Sequence, residues 1–196
     1  MKVLAIIPAK MDSKRLAGKN LRQLNGKSLV EHSIDYALAS KYDVTVVVSS
    51  ESLEVKDSLE GKYNSDVCFD HRSPDLCGDI EVVDVYLDVV KRTFGKYDLV
   101  VGLQPDNPNR SHTLDECIEY MLENNYDDLI TVNPNYKRSG SVRIFKYDYI
   151  YSGQVSKRLG CIKDGATDIH TEEDLNSIVK AYDQIANHNI TYVRHN

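Results

Sequence analysis

Two nearly continuous apolar runs, Val3-Leu4-Ala5-Ile6-Ile7 and the stretch from Val44 to Val48, constrain the fold of this chain more than any other feature. A strand with one wet face alternates apolar and polar residues. A strand covered on both faces does not, and such runs mark parallel strands flanked by helices. Further β-rich segments place strands at 2–8, 44–50, 66–70, 98–103, 128–133 and 140–146. Apolar residues at 3.6-residue spacing predict helices over 28–40, 52–61, 79–93, 112–124 and 171–187. This alternation implies a three-layer α/β/α domain with a mostly parallel sheet. With 196 residues and no repeat, linker or low-complexity segment, the chain is expected to form a single domain over 1–196.

In such sheets ligands bind at the carboxyl ends of the strands, which selects the loops 8–20, 70–79, 104–111 and 164–171. The first carries an unusual charge. Lys10, Lys14, Arg15, Lys19, Arg22 and Lys27 face a single acid, Asp12, although the whole chain is acidic at net −6. Gly26-Lys27-Ser28 resembles the end of a Walker phosphate loop, but position 21 is Leu21 where that motif needs glycine. The Gly-x-Gly-x-x-Gly dinucleotide fingerprint is also absent, since the only glycines between the first two strands are Gly18 and Gly26. The loop is therefore read as a di- or triphosphate site built from Lys10, Lys14, Arg15 and Lys19 with backbone N–H groups near Gly18, the alternative being a solvated basic face.

Composition narrows the remaining classes. No apolar run approaches the ~20 residues of a membrane span, and Met1-Lys2 leads straight into a strand rather than a signal peptide, so a cytoplasmic protein is expected. Cys68, Cys77, Cys117 and Cys161 lack metal-ligand spacing and suit reduced, mostly buried thiols. Basic residues confined to one loop, an acidic overall charge and no aromatic platform argue against nucleic acid as substrate.

Several motifs together resemble the cytidylyltransferases that activate sialic acid and related acidic sugars. "IIPAKMDSKRLAGKN" is similar to that family's opening loop, "LNGKSLVEHSIDYAL" to the helix start that follows it, and "VTVVVSSES" to its second strand. "HRSPDLCGD", "LQPDNPNR", "SGSVRIFKYDYI" and "TDIHTEEDL" continue the match in order across most of the chain. The resemblance implies a Rossmann-like nucleotidyltransferase fold and CMP transfer from CTP to an acidic acceptor, with pyrophosphate released. It makes Lys10, Lys14 and Lys19 the catalytic cations, with Ala9, Ser13, Asn20, Arg72 and Asp79 also on the nucleotide side. Gln104, Asn107 and Arg110 would contact the acceptor, although Gln104 and Arg110 also read as loop-fixing residues.

The chain departs from the family pattern at several positions. Lys10 replaces an arginine, which keeps the charge but loses the bidentate fork, and Met11-Asp12 replaces a glycine-rich pair. His170 stands where the sialic-acid enzymes have the second aspartate of Asp-Ile-Asp, while Asp106 replaces their threonine. The resemblance then implies Asp106 and Asp168 as Mg²⁺ ligands, with His170 a possible third. Against this, Thr171-x-x-Asp174 reads as a helix cap, so Asp168-Ile-His170 also reads as its lead-in. Most of the family's dimerisation insertion is missing near 134–140, although a homodimer remains possible. The shortened form resembles the cytidylyltransferase of capsule phosphoramidate synthesis and suggests L-glutamine phosphate as acceptor, giving CDP-L-glutamine. The alternatives are a nonulosonic or octulosonic sugar acid, or a non-catalytic nucleotide-binding protein.

Overall fold

The computed structural model describes residues 1–78, 80–154 and 156–193. The amino-terminal part runs β1 (Lys2–Pro8), two short strands β2 (Gln23–Leu24) and β3 (Lys27–Ser28), α1 (Leu29–Leu38), β4 (Asp43–Ser50), α2 (Leu53–Leu59) and β5 (Val67–His71). It continues with α3 (Val82–Arg92), β6 (Leu99–Gly102), α4 (Leu114–Glu123), β7 (Asp128–Val132) and β8 (Arg138–Lys146). The chain then forms α5 (Tyr147–Ser152), β9 (Leu159–Lys163) and α6 (Glu172–Val193).

Seven strands make one sheet in the order β5-β4-β1-β6-β8-β7-β9. All neighbouring pairs are parallel except those made by β8, which runs antiparallel to both β6 and β7. The apolar runs form the centre: Val3 to Ile7 are fully buried in β1, flanked by β4 and β6. Because side chains alternate along a strand, Val3, Ala5 and Ile7 pack under α1, α2 and α4, while Leu4 and Ile6 pack under α3 and α5. This is the expected three-layer architecture, and each buried Val, Leu or Ile side chain among these stabilises it by about 1.5–3 kcal/mol.

Four local features differ from the sequence reading. β2 and β3 form a hairpin around Asn25-Gly26, whose φ values of 51° and 78° are those of a two-residue primed turn. α5 and the edge strand β9 were not expected as elements; α5 buries Tyr147 and Ile150 from a Tyr-rich segment. The thiols are not mostly buried: only Cys117 is, while Cys68 and Cys161 lie exposed on the two edge strands. Among the described residues, no helix is long and apolar enough to cross a membrane.

A third apolar cluster positions the site. Ile169, just before α6, and Leu175 and Ile178 within it pack with Leu16, Leu24 and Leu29. This seats the segment before α6 against the loop after β1. Between β7 and β8 there is only a tight turn, in which the Asn133 carboxamide oxygen accepts from the backbone N–H of Asn135 and Lys137, both at 3.0 Å.

Candidate active site

The loops after the carboxyl ends of β1, β5 and β6 enclose a cavity of about 340 Å³, within the size range of small-molecule sites. Lys10, Lys14, Arg15, Lys19 and Arg72 line it, with Asp12 and Asp106 as the acids. Three of the four loops selected from sequence supply this wall, and the fourth adjoins it through Asp106. The loop after β1 is folded back on itself by Asn20, which is buried and donates from Nδ2 to the Lys10 carbonyl at 2.7 Å. Gly18, at φ 59°, starts the short 3-10 turn Lys19–Leu21 that directs Lys19 inward.

Lys19 joins three loops. Its Nζ lies 2.5 Å from Asp106 Oδ2 and donates to the Ile169 carbonyl at 3.1 Å. Lys10 reaches the second loop, with Nζ 3.4 Å from the Gly78 carbonyl and 3.8 Å from Asp12. Arg72 is buried beneath the cavity, where its guanidinium donates to the Ser49 carbonyl at 2.5 Å and to Ser49 Oγ at 3.3 Å. Glu51, not singled out from sequence, accepts the Met11 N–H at 2.6 Å and holds the turn of the first loop. Only a long-range contact reveals it.

The third and fourth loops are laced together. Asn107 donates to the Thr167 carbonyl, Asn109 exchanges hydrogen bonds with Thr167, and the Ile169 N–H donates to the Asp106 carbonyl at 2.9 Å. Asn109 and Thr167 carried no distinguishing sequence signal. Three expected contacts fall elsewhere. Ala9 is fully buried and gives its N–H to the Ser49 carbonyl, so it belongs to the cavity floor rather than its lining. Asn107 and Arg110 likewise lie outside the lining. The Arg110 guanidinium donates to the carbonyls of Ser141 and Gln104 and to Ser33 Oγ, and stacks on Tyr36 at 4.7 Å. Its fork braces the loop, as the loop-fixing alternative held, because buried carbonyls require donors. Gln104 does line the cavity, its side chain lying across Gly140. Ser13 and Asn20 line it too, whereas Asp79 lies outside the described residues.

Beside Lys19, one donor atom from each of Asp106, Asp168 and His170 falls within 4.8 Å of the others. His170 Nε2 is 2.8 Å from Asp168 Oδ2. Asp106 Oδ1 and His170 Nδ1 are buried without hydrogen-bond partners among the described residues. Partial desolvation first, and then the neighbouring Asp106 charge, push the Asp168 carboxyl above its usual range, against the opposing effects of His170, Lys19 and Arg15. Crowded carboxylates and unpartnered lone pairs are what a divalent cation would relieve, so the residues fit such an ion.

A family profile described as "Cytidylyltransferase" matches residues 4–147. The chain belongs to the cytidylyltransferase family. Among curated relatives, it is 37% identical over 127 residues to the CMP-N,N'-diacetyllegionaminic acid synthase of Legionella pneumophila, a match covering 63% of this chain and 53% of that one. It is 31% identical over 134 residues to the 3-deoxy-manno-octulosonate cytidylyltransferase of Chlorobium limicola, covering 67% and 51%. The chain thus spans about half the length of these curated relatives. A solved CMP:2-keto-3-deoxy-manno-octonic acid synthetase complexed with CTP shares the fold, with a TM-score of 0.70 at 15% identity over 94% of this chain and 99% of that one. In this family member the site residues therefore stand on a cytidylyltransferase scaffold, at the sheet edge where such folds bind ligands.

Proposed function

We propose that this cytidylyltransferase family member transfers CMP from CTP to an acidic acceptor and releases pyrophosphate. The observation that carries the reading is the cavity lined by Lys10, Lys14, Arg15, Lys19 and Arg72, set directly beside Asp106, Asp168 and His170. A triphosphate is the ligand class that this charge density suits. In the reaction an acceptor oxygen attacks the α-phosphorus, the bond to the bridging oxygen breaks, and its electron pair leaves with pyrophosphate. Lys10, Lys14 and Lys19 bind the phosphates and neutralise the charge that develops on the leaving group. Lys19 also holds the loop of Asp106 in register with that of Asp168. Asp106 and Asp168 hold a divalent cation, for which Mg²⁺ is proposed, and the ion when bound supplies Lewis-acid stabilisation of the phosphate oxygens. Gln104 is the acceptor-side residue still facing the cavity.

For the acceptor, the names of the relatives support a sugar acid. A second reading, L-glutamine phosphate, is favoured by the short turn between β7 and β8, which leaves few side chains to enclose a large sugar. Pyrophosphate release from CTP and Mg²⁺, measured with a nonulosonic acid, an octulosonic acid and L-glutamine phosphate in turn, separates the two. Release with none of them, at concentrations where CTP binds, contradicts the reading and leaves a nucleotide-binding protein.

A further inference from the structure

We infer that His170 is itself a ligand of the divalent cation, so that the site presents a mixed nitrogen and oxygen donor set rather than the all-oxygen set of two aspartates. The inference rests on the metal site proposed above and specifies its chemistry.

Three observations carry it. The first is that α6 is capped without the side chains of Asp168 or His170. The Asp174 carboxylate accepts from the N–H groups of His170 and Thr171 at 2.9 and 2.8 Å, and Thr171 Oγ1 accepts from the Asp174 N–H at 3.2 Å. The lead-in to the helix therefore has no structural need for an imidazole here. The second is the spacing. Two donors on adjacent vertices of an octahedral ion with bonds of ~2.1 Å stand roughly 3 Å apart, and His170 Nε2 and Asp168 Oδ2 are 2.8 Å apart. Asp106 completes a set within 4.8 Å. The third is the supply of lone pairs. Lys19 occupies Asp106 Oδ2 but leaves Oδ1 buried and unpartnered. A buried polar atom without a partner is costly, and an ion set beside Asp168 Oδ2 and His170 Nε2 would give Asp106 Oδ1 one.

The consequence is selectivity. Mg²⁺ takes oxygen donors, whereas an imidazole nitrogen shifts preference toward later first-row ions such as Co²⁺ and Zn²⁺, with Mn²⁺ gaining least. The test is Mn²⁺ alone added to the full chain and examined by pulsed electron paramagnetic resonance for coupling to ligand ¹⁴N. The wild-type protein should show imidazole nitrogen coupling that His170→Asp and His170→Gln both lose. By calorimetry, His170→Asp should lower the ratio of Co²⁺ to Mg²⁺ affinity by at least about tenfold. Thermal unfolding identifies a variant that has merely failed to fold, and the two substitutions guard each other. Mn²⁺ binding that depends on Asp106 but shows no nitrogen coupling, or coupling that survives both substitutions, overturns the inference while leaving the proposed function standing. No Mn²⁺ binding at all overturns it as well. Pyrophosphate release from CTP in excess chelator would instead remove the metal site from the proposed function.

Discussion

Lys19 and Asp106 lie 87 residues apart in sequence yet meet with Nζ and Oδ2 separated by 2.5 Å, and through this pair the loop after β1 is joined to the loop after β6. Both side chains are mostly buried, at 13% exposure each, so the pair works in a medium where charge is weakly screened. It sets the positive wall of the cavity against the carboxylates beside it.

Lys19→Met removes one of the cations proposed to bind phosphate and leaves Asp106 without its Lys19 partner. The expected loss in kcat is about a hundredfold or more, as for other groups that neutralise charge in the transition state. Steady-state pyrophosphate release checks this, and a change confined to KM would show that Lys19 only binds substrate.

Gly140→Ala tests the placement of Gln104. A Cβ at position 140 would fall 2.3 Å from the Gln104 carboxamide carbon, so that flexible side chain must leave its position on the cavity wall. Because only a side-chain end moves, stability should change by less than about 1 kcal/mol, as for substitutions that create neither a cavity nor a buried unpaired group. The KM for the acceptor should rise while that for CTP holds. An unchanged acceptor KM would remove Gln104 from the acceptor side.

How far the sequence exposed this arrangement depends on the range of the interactions. β1 and β4 were legible because burial on both faces writes an uninterrupted apolar run into a single segment. The antiparallel direction of β8 was not, since strand direction depends on which neighbours a segment finds. β9 was missed because its pattern is half exposed at the sheet edge, with Leu159 and Cys161 facing solvent. Asn25-Gly26 did carry a local hairpin signal, but with strands of two residues on either side there was no alternation to support it. In the site, the charge cluster of the first loop was visible as composition. The turn of Arg110 inward onto Ser33, Tyr36 and Ser141 was not, because those partners come from α1 and β8.

Arg110→Lys keeps the charge but loses the fork that serves three acceptors. The expected cost is about 2 kcal/mol of stability, the worth of one or two charge-assisted hydrogen bonds. Urea unfolding measures it. Since the guanidinium lies outside the cavity lining, the KM for CTP should hold at temperatures where both proteins are folded. A selective loss of acceptor binding at unchanged stability would instead return Arg110 to the acceptor site.

Asp164 governs part of the acid limit. Burial alone would raise its carboxyl, but hydrogen bonds from Ser141, Ser111 and Ala166 outweigh that and hold it below the ordinary value. The folded state therefore releases this proton more readily than the unfolded chain. The stability it contributes is complete above the unfolded pKa of about 3.9 and is lost as the pH falls through the lower folded value. Asp164→Asn should lower stability at neutral pH and flatten its decline below about pH 4. An acid limb of unchanged steepness in denaturant titrations would show that another carboxylate sets the limit.

The central claim is that CTP is cleaved at its α-phosphorus and the cytidylyl group passes to an acceptor. The most direct measurement follows CTP labelled at the α-phosphorus, with a divalent cation and the acceptor panel, beside ATP, GTP and UTP labelled in the same way. The account predicts that the label moves from CTP into the acceptor product, that unlabelled pyrophosphate appears in equal amount, and that the other three nucleotides react far more slowly. Comparable transfer from ATP or UTP, or CTP recovered intact with every acceptor while the protein is folded and binds it, would contradict the account.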